Sequence, residues 1–160
     1  MPLEQLIPGI ENFLAVDGAL LTAILVASMW LVTTSLVAAG IPGVLIPATL
    51  ATEALAGPVA ATATVSMSAL GGSLLLFTAA RRWGAPKITA RFGGRLDSFG
   101  QRFAAHGILY VIGLRLVGTP HVLVTVGSAM TPIRAPAFAV ATLLGCLPAI
   151  LIAAVAGSVV

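Results

Sequence analysis

The chain has 160 residues, 59% of them apolar and only 8% charged, against roughly 25% charged in an average soluble domain. Eight basic and five acidic residues cannot coat a 16.1 kDa globule, and a mean hydropathy of +1.10 excludes a water-soluble fold and makes lipid the solvent. The net charge of +3 does not signal nucleic acid, because the cations cluster beside apolar runs and only 6% of residues are aromatic.

Residues 1–17 carry Glu4, Glu11 and Asp17 and no cation, the wrong charge for the start of a secretory signal. Leu3, Leu6, Ile10, Phe13 and Leu14 recur at helical spacing between those carboxylates, so we expect an amphipathic segment over 1–17 ahead of a single transmembrane domain over 18–160. Residues 18–39 are uncharged and long enough to cross a ~30 Å hydrocarbon core. The pattern then breaks at Gly40, Pro42, Gly43 and Pro47, yet no charge intervenes before Glu53. Such a segment is expected to be re-entrant, and irregular backbone at membrane depth requires protein or a wet cavity to satisfy its amides. A second span is expected within the uncharged run 54–80, starting near Gly57 and Pro58.

Six of the eight basic residues fall in the loop 81–102, which the positive-inside rule places in the cytoplasm. Lys87, Arg91, Arg95 and Arg102 follow one helical stripe and Ile88, Phe92, Leu96, Phe99 and Phe103 its neighbour, as in a helix lying on the membrane surface. Arg81, Arg82 and Arg134 read as anchors at the membrane boundary. A second broken stretch follows at Gly118, Thr119, Pro120 and His121, and the run from Ala137 onward forms the last span.

Sliding the sequence on itself by 78 residues superposes Gly40, Pro42, Val44, Leu45, Ala51, Pro58 and Thr64 on Gly118, Pro120, Val122, Leu123, Ala129, Pro136 and Thr142. The fold class expected is therefore an all-α integral membrane protein built from an inverted repeat, each unit a re-entrant broken-helix hairpin plus a transmembrane helix, over about 40–82 and 118–160. Such repeats place a polar site at their interface. Arg115 is the leading site residue, since an arginine among Ile112, Gly113, Leu114, Leu116 and Val117 costs at least ~2.5 kcal/mol at membrane depth unless partnered. His121 is expected to donate to phosphate and to lose that role as pH rises above about 6.5. Glu53 is an intramembrane carboxylate able to relay protons or pair with an arginine, and Arg134, Pro42, Gly43, Gly118 and Pro120 complete the candidate substrate-binding set. With Cys146 as the single cysteine, two isolated histidines and no H-E-x-x-H, no metal or other cofactor is expected. Nucleophile-elbow, Walker and dinucleotide motifs are absent, so an enzyme is not expected.

From about Ile41 to Gly157 these elements resemble the DedA proteins and the wider VTT superfamily, which includes the SNARE-associated Golgi proteins. The resemblance rests on Ile41-Pro42-Gly43, on Gly71 and Gly72 through Phe77 to Arg81-Arg82-Trp83-Gly84, and on Phe103-Ala104-Ala105-His106-Gly107. It continues with Gly127, Pro132 and Arg134, then Thr142, Gly145 and Pro148. The family's R-x-x-P-x-x-R element is represented by Arg115, with Gly118 at the proline and His121 at the second arginine. Val44 and Ser73 stand where the family often has carboxylates, which weakens proton coupling and favours an uncoupled mode. The resemblance implies a lipid transporter or scramblase that moves phospholipid or polyprenyl-phosphate headgroups between leaflets. A proton- or ion-coupled small-solute transporter and a non-transporting membrane scaffold are the alternatives. The expected location is the plasma membrane of a bacterium or archaeon, with membrane lipid as partner, protons and a second copy of the chain as further candidates, and no nucleic acid.

Overall fold

A computed structural model describes residues 3–84, 98, 100–103 and 105–158, with side chains described from residue 18 onward. Among these residues the fold is helical: α1 (Leu3–Ala38), α2 (Leu45–Ala79) closed by a single π-helical turn (Ala80–Gly84), α3 (Ile108–Leu116), α4 (His121–Ala129) and α5 (Ala135–Gly157). Helix α1 passes through Gly18 without a backbone break, so the expected segment 1–17 continues into the first span. The side chains that would make it amphipathic, and the expected surface helix over most of the basic loop, lie outside the described residues.

Among the described residues three stretches are long and apolar enough to cross a membrane: Gly18–Ala38, Leu45–Gly84 and Ala135–Gly157. Helices α3 and α4 have 9 residues each, about 14 Å at 1.5 Å per residue, less than half a hydrocarbon core. The surface is apolar, with Leu20, Ile24, Leu31, Val59, Met67 and Ile152 exposed, whereas Thr33, Thr49, Thr52, Ser68, Thr125 and Thr142 are buried. This inside-out distribution is the one lipid imposes, because tails outside solvate leucine, and several of the hydroxyls inside bond to backbone carbonyls. Thr52 donates to Ala48 O at 2.7 Å, and Ser68 Oγ reaches both Thr64 O at 2.9 Å and Trp30 O of α1 at 3.2 Å.

Glycines and prolines set where the helices stop. Gly40 and Gly118 both adopt φ 78, the left-handed conformation that glycine reaches without a Cβ penalty. Each ends its helix with the same pair of hydrogen bonds. Gly40 N donates to Val37 O and Ile41 N to Leu36 O at 3.0 and 3.1 Å; Gly118 N donates to Arg115 O and Thr119 N to Leu114 O at 3.2 and 3.0 Å. These are Schellman turns, and Pro42 and Pro120, two residues on, keep either helix from resuming at once. The two breaks thus share one backbone geometry at an offset of 78 residues. Pro47 corrects the expected pattern: it lies in the first turn of α2, where a backbone N–H has no helical acceptor, so it opens the helix and does not break it. The true interruption of α2 is Gly57 at φ 81 and ψ 170, just before Pro58. The F-x-x-H-G element is likewise a helix stop, with Gly107 at φ 58 and its N–H bonded to Phe103 O at 2.7 Å.

Helix α2 is central, packed on α1 along one side and α5 along the other, with α3 against α5. At Gly72 an added Cβ would lie 2.6 Å from Thr34 O and 2.7 Å from Val37 Cβ, so α1 and α2 touch backbone to side chain there. Arg81, expected to be a boundary anchor, is exposed at the end of the second span and also bonds to the neighbouring backbone. Its Nε donates to Ala129 O at 3.2 Å and its Nη2 to Thr131 O at 2.7 Å and Ile133 O at 2.9 Å, while the guanidinium lies 4.5 Å from the Phe77 ring centroid. One side chain therefore supplies donors to the carbonyls that the end of α4 and the turn before α5 leave free. We expect Gly72→Val to destabilise the protein by about 1–3 kcal/mol through overpacking. Gly18→Ala, inside α1 with nothing within 4 Å of the added methyl, should leave packing intact and raise stability by up to about 1 kcal/mol. Thermal unfolding followed by size-exclusion in detergent measures both.

Candidate functional site

The two breaks face a common cavity of about 290 Å³. Ile41, Pro42, Gly43 and Val44 line it from the first break, and Gly118, Thr119, Pro120 and His121 from the second, with Val37, Arg115 and Cys146 completing its wall. The approach is close: a methyl added at Gly40 would lie 3.1 Å from Val122 Cγ2. Val37 and Arg115 occupy the same position relative to their Schellman turns, so equivalent places in the two breaks present a valine and an arginine to one space.

Arg115 is 8% exposed, in the last turn of α3, where a cation is favoured by the carbonyl end of the helix. Its Nη1 lies 2.6 Å from His121 Nδ1 and 3.7 Å from Cys146 Sγ, and its Nη2 donates to Thr125 Oγ1 at 3.2 Å. The guanidinium carbon is 5.5 Å from the centroid of Phe138, which is itself stacked on Phe77 at 4.5 Å. Each ring gives one face to its neighbour, so the stacked pair lies between Arg115 and Arg81. Gly145 makes room for this arrangement, because a Cβ there would sit 2.6 Å from Arg115 Cβ and 3.3 Å from Ile112 O. Nε of Arg115 is buried without a protein acceptor, and no carboxylate among the described residues contacts the guanidinium. A buried donor left unpaired costs about 1–3 kcal/mol, so the site holds unspent capacity for an acceptor.

His121 Nε2 is 2.9 Å from Ser73 Oγ. The Ser73 hydroxyl donates to Ala69 O one turn earlier, so its single proton is spent and it accepts from His121. His121 therefore carries its proton on Nε2 and offers the Nδ1 lone pair to Arg115.

The family model for the VTT domain matches residues 16–159. The chain belongs to the VTT-domain family. This is the domain of DedA and SNARE-associated Golgi proteins, and the match agrees with the resemblance carried by the motifs. No curated protein and no solved structure matches the chain. The apolar helices and the family together make this VTT-domain protein an integral membrane protein.

Of the expected site residues, the fold brings together Arg115, His121, Pro42, Gly43, Gly118 and Pro120. It does not bring in Glu53, which lies beside Gly157 near the end of α5, where a Cβ on that glycine would be 2.7 Å from Glu53 Oε2. Arg134 is exposed and opens α5, its carbonyl accepting from Phe138 N at 3.0 Å. Ser73, Thr125 and Cys146 were not anticipated as partners of the site. Thr125 had a readable signal, since it stands four residues after His121 on one face of α4. Ser73 was marked only as the place of a family carboxylate and Cys146 not at all, because they reach His121 and Arg115 only through the packing of α2 and α5. As the single cysteine sits beside the guanidinium, an anionic methanethiosulfonate should modify Cys146 roughly tenfold faster than a cationic one of similar size. Arg115→Gln should abolish the preference, as read by intact-mass spectrometry.

Proposed function

We propose that this VTT-domain protein moves anionic lipid headgroups, of phospholipid or polyprenyl phosphate, between membrane leaflets, as a transporter or scramblase. The observation that carries the reading is Arg115, a buried guanidinium without a carboxylate partner among the described residues, on the wall of a cavity between two broken helices. A guanidinium suits phosphate because its planar fork donates two parallel hydrogen bonds. The cavity volume of about 290 Å³ lies at the small end of ligand pockets, which span about 300–1,000 Å³. That is room for a headgroup and not for its tails, and the apolar outer surface lets acyl chains stay in the bilayer.

In this reading the breaks belong to two units of opposite direction, whose short arms enter the membrane without crossing it. A headgroup passes between them while the closed ends of the arms spare their amides from lipid. Transport is uncoupled from protons: Val44 lines the cavity in place of a carboxylate, Ser73 is committed to His121, and Glu53 stands apart. No covalent step is needed, and the membrane in question is the plasma membrane of a bacterium or archaeon.

The test is purified protein in liposomes carrying fluorescent phospholipid, with bleaching of the outer leaflet and no ion gradient. Wild type should accelerate exchange between leaflets. Arg115→Lys keeps the charge and loses the fork, and Arg115→Ala loses both, so we expect each to slow exchange at least about tenfold at matched folding. Lysine working as well as arginine would remove phosphate recognition from Arg115. Lipid that moves only when an ion gradient is imposed, or not at all while a small anion is taken up, would replace lipid exchange with coupled or solute transport.

A further inference from the structure

The cavity holds one positive charge, and its second basic-looking group is neutral by construction. Ser73 spends its proton on Ala69 O and so must accept from His121 Nε2–H, which leaves Nδ1 as a lone pair 2.6 Å from Arg115 Nη1. A proton on Nδ1 would set N–H against N–H at that distance. The groups facing His121 are Arg115 from α3, Ser73 from α2 and, across the cavity, Cys146 from α5; no carboxylate is among the residues lining the cavity to draw a second proton onto the ring. His121 is thus a positioning residue that aims Arg115, and not the phosphate donor its place in the sequence suggests.

We infer that the site selects a singly charged phosphodiester headgroup over a phosphomonoester. The inference rests on the lipid reading of the cavity and narrows it to phospholipid diesters, setting aside polyprenyl phosphate, which is a monoester. A phosphodiester carries one negative charge and is balanced by one guanidinium, whereas a monoester carries about 1.5 to 2 charges near neutral pH and leaves excess charge buried. Neither Ser73 nor His121 can supply the difference without giving up the bond that orients Arg115.

The test has two arms. The first is a ¹⁵N spectrum of histidine-labelled protein in nanodiscs at pH 7.5. The chain has two histidines, so His106→Gln assigns the signals. His121 should show a protonated Nε2 and an unprotonated Nδ1, and Ser73→Ala should mix the tautomers. An imidazolium, or a proton on Nδ1, would overturn the inference. The second arm is protection of Cys146 from N-ethylmaleimide by dihexanoyl phosphatidylglycerol, dihexanoyl phosphatidic acid and glycerophosphoglycerol. The diester lipid should protect at a concentration at least about fivefold below the monoester, as one unbalanced charge predicts. His121→Arg should narrow or reverse that ratio, and His121→Asn, which keeps an acceptor for Arg115 and cannot titrate, should preserve it. Equal or better protection by phosphatidic acid in the wild type would refute the selection. Glycerophosphoglycerol protecting as well as the lipid would identify the ligand as a free diester and remove the lipid from the inference. Protection with the expected order but no lipid movement in liposomes would sink the transport reading alone.

Discussion

A guanidinium buried in a membrane protein with no carboxylate among the described residues to neutralise it is the constraint around which this fold is arranged. Placing arginine at the middle of a membrane helix costs about 2.5–3.5 kcal/mol even on the most lenient scale. The protein offsets this with several modest terms and no single strong one: the carbonyl end of α3, the His121 and Thr125 acceptors, the Cys146 sulfur and the face of Phe138. None of these carries negative charge of its own among neutral groups, so the guanidinium keeps its attraction for an anion. A buried ion pair would have solved the solvation problem and removed the site.

The same requirement explains residues that touch no ligand. Gly145 brings α5 against α3 at the level of Arg115, and the Phe77–Phe138 stack beneath it is held from the other side by Arg81. Arg81 in turn satisfies Ala129, Thr131 and Ile133 carbonyls, which fixes where α4 ends and α5 begins. Two arginines that look alike in the sequence therefore act in different ways: Arg81 spends its donors on backbone, and Arg115 keeps one unspent.

The breaks make the space. Each uses a left-handed glycine followed by proline, and each turns the chain after a helix whose penultimate residue faces the cavity. Both turns share one hydrogen-bond pattern, so the residue three before each glycine is held toward the cavity by the same backbone geometry. Val37 and Arg115 show how one geometry can be apolar at one break and cationic at the other. The Gly40, Ile41, Gly118 and Thr119 amides, which would be costly in lipid, are bonded within the turns themselves.

Much of this was legible before any coordinates. Composition alone made lipid the solvent, since 8% charge cannot hydrate a surface of this size, and glycine–proline pairs placed both helix stops because no side chain lets other residues copy their φ. Arg115 stood out because a charge in an apolar run has a solvation cost that any reader of the sequence can estimate. What the sequence could not decide was direction and company. His121 read as a phosphate donor because histidine is usually a titrating group, and only Ser73, 48 residues away and already committed to Ala69 O, accepts from its Nε2–H and leaves Nδ1 to accept from Arg115. The three carbonyl partners of Arg81 lie about fifty residues downstream and have no local signal, and Glu53 read as part of the site because its place beside Gly157 depends on how α5 crosses α2. Local spacing determines where a helix can end; which hydrogen a side chain has left to give is settled only when distant helices pack.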